Sequence, residues 1–112
     1  MEQFVKGEVI VTPFPFSDLT TSIRRPALIV ANLKGDDVML CQITTKKRQD
    51  PYVIDLSKED FKSGSIKIAS FIKPSKIFTL RKKIILYKIG KLTENKIKEV
   101  ENKIFEIIKN SQ

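Results

Sequence analysis

Two residue types that bind phosphate, an arginine and a threonine, stand at the outer ends of one apolar stretch. It runs from Arg24 to Thr45 and reads RRPALIVANLKGDDVMLCQITT. A basic pair, Arg24 and Arg25, precedes an apolar run, a polar turn at Lys34-Gly35-Asp36-Asp37, a second apolar run and a terminal pair, Thr44 and Thr45. That order predicts a β-hairpin. An antiparallel pair brings its outer ends together, so Arg25 and Thr44 are expected side by side at one end of a sheet. There a guanidinium would offer a planar fork of donors, and a hydroxyl beside it can donate or accept; together they suit a phosphate. Each residue also has an ordinary explanation. An Arg before Pro is often a solvated strand end, and β-propensity alone favours a strand-terminal Thr.

Other chemistries are narrowed by what the chain lacks. It contains no histidine, which removes Ser-His-Asp, Cys-His and paired-histidine RNase mechanisms together with the commonest zinc ligands. None of its four glycines falls in a phosphate-cradling loop of the G-x-x-x-x-G-K-[ST] or G-x-G-x-x-G type. Asp36-Asp37 lie in a turn, and Glu59-Asp60 lie in a helical stretch, where they read as surface and capping groups rather than metal ligands. The single cysteine, Cys41, sits inside an apolar run, so it reads as core and can form neither an internal disulfide nor a cysteine metal cluster. An enzyme built on this chain is expected to need neither metal nor cofactor.

The 112 residues and 12.8 kDa suit one domain, 1–112, able to bury about 65% of its unfolded surface. A hydrophobic fraction of 41% with 30% charged residues is ordinary for a soluble globular protein. No run approaches the roughly 18 apolar residues of a spanning helix, and the start, Met-Glu-Gln-Phe, is unlike a leader. No membrane partner and a cytoplasmic location are therefore expected. The net charge of +8 and pI near 9.7 favour a polyanionic partner. Positive charge gathers at Arg24-Arg25, Lys46-Lys47-Arg48, Lys73 with Lys76, and Arg81-Lys82-Lys83. These clusters recur at predicted strand ends, where several loops are expected to converge on one basic surface.

The elements that must position these groups follow in order. Val9 to Phe16 forms a first strand, interrupted by Pro13 and Pro15 as an edge or strand end would be. A hydroxyl-rich loop, Ser17 to Ser22, including Asp18 and Thr20, is placed to lie over a ligand or simply to stabilise turns. Ala27 to Ala31 runs apolar without alternation, as in a strand covered on both faces. Val38 to Thr45 returns, and Pro51 to Leu56 gives a fourth strand. Ser57 is read as the N-cap of one or two helical turns through Lys62, with Asp60 at capping-box spacing and Gly64 ending them. Ser65 to Lys73 alternates as a fifth strand. Pro74 limits it, and Lys76 to Leu80 either continues the sheet or crosses it. Ile84-Ile85-Leu86 fits a short helix or a sixth strand, with Gly90 at a turn. Thr93 caps a final helix whose Ile97, Val100, Ile104, Ile107 and Ile108 form the packing stripe. The fold class is mainly β with a C-terminal helix (α+β): about five to seven strands in a small curled sheet or partly open barrel, with short helical turns and one long helix over its apolar side.

Several segments, in this order, resemble the MazF/PemK toxins of bacterial type II toxin–antitoxin systems. They are KGEVIVTPFPFSDL at 6–19, RRPALIV at 24–30, QIT at 42–44, SFIKPSKIFTL at 70–80 and IGKL at 89–92. The resemblance implies an SH3-like barrel, a homodimer, and a metal-independent, sequence-specific endoribonuclease that cuts single-stranded RNA. In such an enzyme the 2′-OH attacks the adjacent phosphorus, leaving a 2′,3′-cyclic phosphate and a 5′-OH. It further implies a cognate antitoxin whose segment lies along the toxin surface, and contact with DNA only indirectly, through that antitoxin.

Carried onto this chain, the family's central arginine and threonine correspond to Arg25 and Thr44. Where many members have R-x-D on the later strand, this chain has Lys73-Pro74-Ser75. Lys73 can neutralise phosphate as a point charge, but Ser75 cannot serve as a carboxylate base. Lys73 and Ser75 complete the expected catalytic set. Ser17, Asp18, Thr20, Arg24, Thr45, Lys46, Lys47 and Arg48 are expected to bind RNA, with Phe14, Phe16, Tyr52 and Phe71 as candidate stacking surfaces. The departure at Lys73 and Ser75 keeps a second reading open: a non-catalytic or weakened member that binds RNA or a partner protein through the same groove.

Overall fold

The computed structural model describes residues 3–14, 23–47 and 49–111. Seven strands form one curled antiparallel sheet: β1 (Glu8–Phe14), β2 (Ile23–Asn32), β3 (Asp37–Thr44), β4 (Ile54–Leu56), β5 (Phe61–Gly64), β6 (Ser70–Arg81) and β7 (Tyr87–Leu92). One helix, α1 (Glu94–Lys109), follows. The strand order is β4-β6-β3-β2-β1-β7-β5, so both edges are short strands, which limits edge-to-edge pairing with other chains. The mainly-β architecture with a C-terminal helix is the expected one, at the upper end of the expected strand count.

Each face of the sheet carries its own core. Val9, Leu28, Cys41, Ile43, Ile72 and Val100 belong to one cluster, against which Ile97 and Ile104 of α1 pack. Ile10, Phe14, Ala27, Ile29, Val38 and Leu40 belong to the other, covered by Phe4 and Ile85. Successive strand residues point to opposite faces, so the unbroken apolar run of β2 feeds both clusters. Leu28 goes to the helix side, Ala27 and Ile29 to the other. Cys41 is fully buried, and burial pushes its thiol from 9.0 up to about 12. Below pH 9 the thiol is neutral whether the chain is folded or unfolded; above it only the unfolded chain readily ionises. The stability linked to Cys41 is thus fully present below about pH 9 and lost as pH rises toward 12. Iodoacetamide at pH 8 is expected to label the native protein slowly and the guanidinium-unfolded protein quickly; rapid native labelling would contradict this burial.

Thr93 does cap α1: its Oγ1 accepts from the Lys96 N–H at 3.3 Å. The packing stripe is shorter than expected, because Ile108 is 67% exposed. Near the start of α1, Lys96 reaches Asp60 at 3.5 Å and donates to the Asp55 carbonyl at 3.0 Å, tying helix to sheet.

Four further expectations are corrected. The helical turns after Ser57 shrink to a 3-10 turn at Lys58–Asp60, and Phe61–Gly64 is strand rather than helix. Ser57 is the N-cap of that turn, and the Asp60 carboxylate accepts from its N–H at 2.9 Å. Residues 65–69 are irregular rather than strand. The Ser65 and Ser70 hydroxyls there donate to the Ile66 and Ile68 carbonyls, and such local bonds compete with a ladder. Pro74 does not end its strand: β6 continues to Arg81 past a bulge. Last, Gly90 lies within β7 opposite Gly64 of β5, not at a turn. A Cβ at Gly90 would stand 2.4 Å from the Ser63 carbonyl oxygen, so the glycine permits close approach of two backbones.

Candidate phosphate-binding groove

The site arises where the sheet divides. Beyond Ala27 and Gln42, the last paired residues of β2 and β3, the two strands take separate partners. β2 continues along β1, with Thr12 opposite Arg25 and Phe14 opposite Ile23. β3 continues along β6, with Gln42 opposite Lys73 and Thr44 opposite Phe71. Pro26, at the parting, has no N–H to offer a ladder. Continuing the β2–β3 register sets Arg25 against Thr44, and the space between them is a groove of about 760 Å³.

Arg25, Gln42, Thr44 and Thr45 supply hydrogen-bonding groups to this groove, while Lys46, Lys73 and Lys76 add charge. Its apolar wall is Phe14, Ile23, Ile77 and Phe78. Phe14 and Phe78 meet edge to face, with centroids 4.9 Å apart and planes at 73°. Phe14 is only 5% exposed, so it supports the wall rather than presenting a stacking face. Tyr52, although exposed, does not line the groove, and neither does Phe71.

Thr44 Oγ1 accepts from the Lys46 N–H at 3.2 Å. With that acceptor engaged, its hydroxyl proton is available to a phosphate oxygen. Arg25 is half-buried and forms no ion pair among the described residues. A guanidinium at a cavity wall with no ion pair among the described residues can take an external anion. Lys73 is different: its Nζ lies 4.0 Å from Asp50 Oδ2.

The bulge in β6 decides which of its residues reach the groove. Cys41 pairs with Ile77 and the next residue, Gln42, pairs with Lys73, leaving Pro74, Ser75 and Lys76 out of register. A proline lacking a donor suits that break. Lys76 lines the groove, whereas Ser75 is exposed and does not. The structure thus brings together Arg25, Thr44, Thr45, Lys46 and Lys73 of the expected site. It does not bring in Ser75, Arg24 or Lys47, all of which are exposed outside the groove lining. Ser17, Asp18, Thr20 and Arg48, like the stacking candidate Phe16, lie outside the described residues. Convergence of the basic clusters is also incomplete. Arg81 pairs with Asp37 at the far end of β3, and Lys82 and Lys83 join it around a separate cavity beside Lys34.

Sequence reasoning missed Gln42 as a site residue and treated Lys76 only as charge. The two-residue period from Thr44 marks Gln42 as sharing its face. Only the bulge reveals where Lys76 goes.

A small curled sheet closed by one helix, opening at its strand parting into a cationic, hydroxyl-bearing groove, defines a small barrel-like protein. The chain belongs to the family of PemK-like, MazF-like toxins of type II toxin–antitoxin systems, whose model matches residues 5–108. Similar solved structures include MazF from Deinococcus radiodurans at 15% identity, covering 97% of this chain and 99% of that one with a TM-score of 0.76. An endoribonuclease in complex with its cognate antitoxin from a mycobacterial species is 16% identical, with 98% and 99% covered and a TM-score of 0.71. A mycobacterial endoribonuclease is 20% identical, with 97% and 94% covered and a TM-score of 0.72. No curated protein sequence matches this chain. Among the described residues no helix is long and apolar enough to cross a membrane.

Proposed function

We propose that this chain is a toxin that cleaves single-stranded RNA within the groove, by attack of a 2′-OH on the adjacent phosphorus. The observation that carries the reading is the juxtaposition of Arg25 and Thr44 across the strand parting, among Lys46, Lys73 and Lys76. In that step the 2′-oxygen loses its proton and bonds to phosphorus, and the bond to the 5′-oxygen breaks as that oxygen gains a proton. The products are a 2′,3′-cyclic phosphate and a 5′-OH. Arg25 binds two oxygens of the phosphorane through its fork, Thr44 donates to one of them, and Lys73 offsets the added negative charge. A guanidinium does not readily deprotonate, so Arg25 stabilises charge and does not shuttle protons. Thr45, Lys46 and Lys76 follow the flanking backbone.

The reading extends to a cytoplasmic homodimer restrained by a cognate antitoxin. Its support is the family, together with the antitoxin complexes known for the structural neighbours.

Purified protein incubated with a long RNA in EDTA is expected to yield discrete fragments ending in cyclic phosphate. Absence of cleavage would overturn the ribonuclease reading. Because Ser75 lies outside the groove and Lys73 faces a carboxylate, salt-sensitive binding without cyclic-phosphate product would instead support a binding module.

A further inference from the structure

Lys73 stands among the cations Arg25, Lys46 and Lys76 of the same groove. A lysine is a compact charge on a flexible stem, and like charges around it favour a swing out to solvent. Its side chain is nevertheless only 16% exposed, with Nζ 4.0 Å from Asp50 Oδ2. Asp50 is held in turn: its side chain is 15% exposed, and its Oδ1 accepts the Tyr52 N–H at 2.9 Å. The carboxylate thus has one oxygen tied to backbone and the other turned toward Lys73. Asp50 does not itself line the groove, so it acts through Lys73 rather than on a bound phosphate.

We propose that Asp50, on the segment between β3 and β4, is a positioning residue that holds the Lys73 ammonium in the groove. It gives a flexible point charge the fixed placement that a planar guanidinium has by its own shape. A carboxylate from a loop thus stands behind the groove's lysine, where Ser75 on β6 supplies none. This inference rests on the ribonuclease reading of the same groove.

The test is Asp50→Asn, which keeps an acceptor for the Tyr52 N–H and removes the charge. It is expected to lower kcat about tenfold while KM stays level or falls, because an anion has left the neighbourhood of a phosphate site. Asp50→Glu is expected to restore part of kcat. In a Lys73→Arg background the Asn substitution is expected to cost less than about threefold, since coupled residues are non-additive. A second readout needs no cleavage. In side-chain carbon–proton NMR spectra, the Lys73 Cε signal, assigned by its loss in Lys73→Arg, is expected to stand apart from those of solvated lysines and to join them in Asp50→Asn. Wild-type kcat in Asp50→Asn, or an unmoved Lys73 signal in a folded variant, would overturn the proposal. If the wild-type protein cuts no RNA, the ribonuclease reading falls, and the Lys73 signal still decides whether Asp50 holds the ammonium.

Discussion

Replacing Arg25 with alanine is expected to slow RNA cleavage by about 10²–10³-fold, or about 2.7–4 kcal/mol of transition-state stabilisation. The size follows from the geometry. Among the described residues Arg25 is the one guanidinium lining the groove, and the nearby lysines can supply charge but no fork. Its absence should cost the fold little, because it is half-buried and makes no ion pair among the described residues. Single-turnover cleavage of a fluorescent oligonucleotide, measured beside the melting temperature, separates the two effects. Arg25→Lys should recover only part of the rate. Cleavage at the wild-type rate by Arg25→Ala would remove this groove as the site.

Ile43→Ala is expected to destabilise the protein by about 2–5 kcal/mol, the range for deleting a large aliphatic side chain from a core. Ile43 is 1% exposed and pairs across β3 and β6 with Ile72, which is fully buried. Both belong to the cluster against which α1 packs. Neighbouring strands are too tightly registered to close the void cheaply. At roughly 4–8 °C per kcal/mol for a domain near this size, the melting temperature should fall by about 8–40 °C. A fall of less than about 3 °C would show that this core relaxes far more easily than the burial implies. Gln42 and Thr44 flank Ile43 on the opposite face, so the same substitution is expected to loosen the groove and lower cleavage as well.

These two residues also show how differently fold and site can be read from the chain. The alternation of Gln42, Ile43 and Thr44 is a local signal, visible without tertiary knowledge, as are the turn at Gly35 and the cap at Thr93. The irregular stretch at 65–69 misled because its alternating Ile66 and Ile68 mimic a strand while serine hydroxyls take its backbone carbonyls. Gly90 misled for the opposite reason. Its need is not a turn but the nearness of β5, and a contact between distant strands leaves no local mark. Ser75 holds a motif position that the family resemblance assigns to the site, yet the bulge carries it away.

By itself, then, the sequence determined the hairpin and set Arg25 and Thr44 at the same end of it. Both depend on neighbours within one short stretch and on the geometry of any antiparallel pair. The tertiary structure alone decided that β2 and β3 part company beyond Ala27 and Gln42, that Lys76 enters the groove while Ser75 leaves it, and that Asp50 meets Lys73. Those outcomes depend on which distant strands pair and on where the register slips. Pairing energy of that kind is shared across the whole sheet, and no single stretch of sequence carries it.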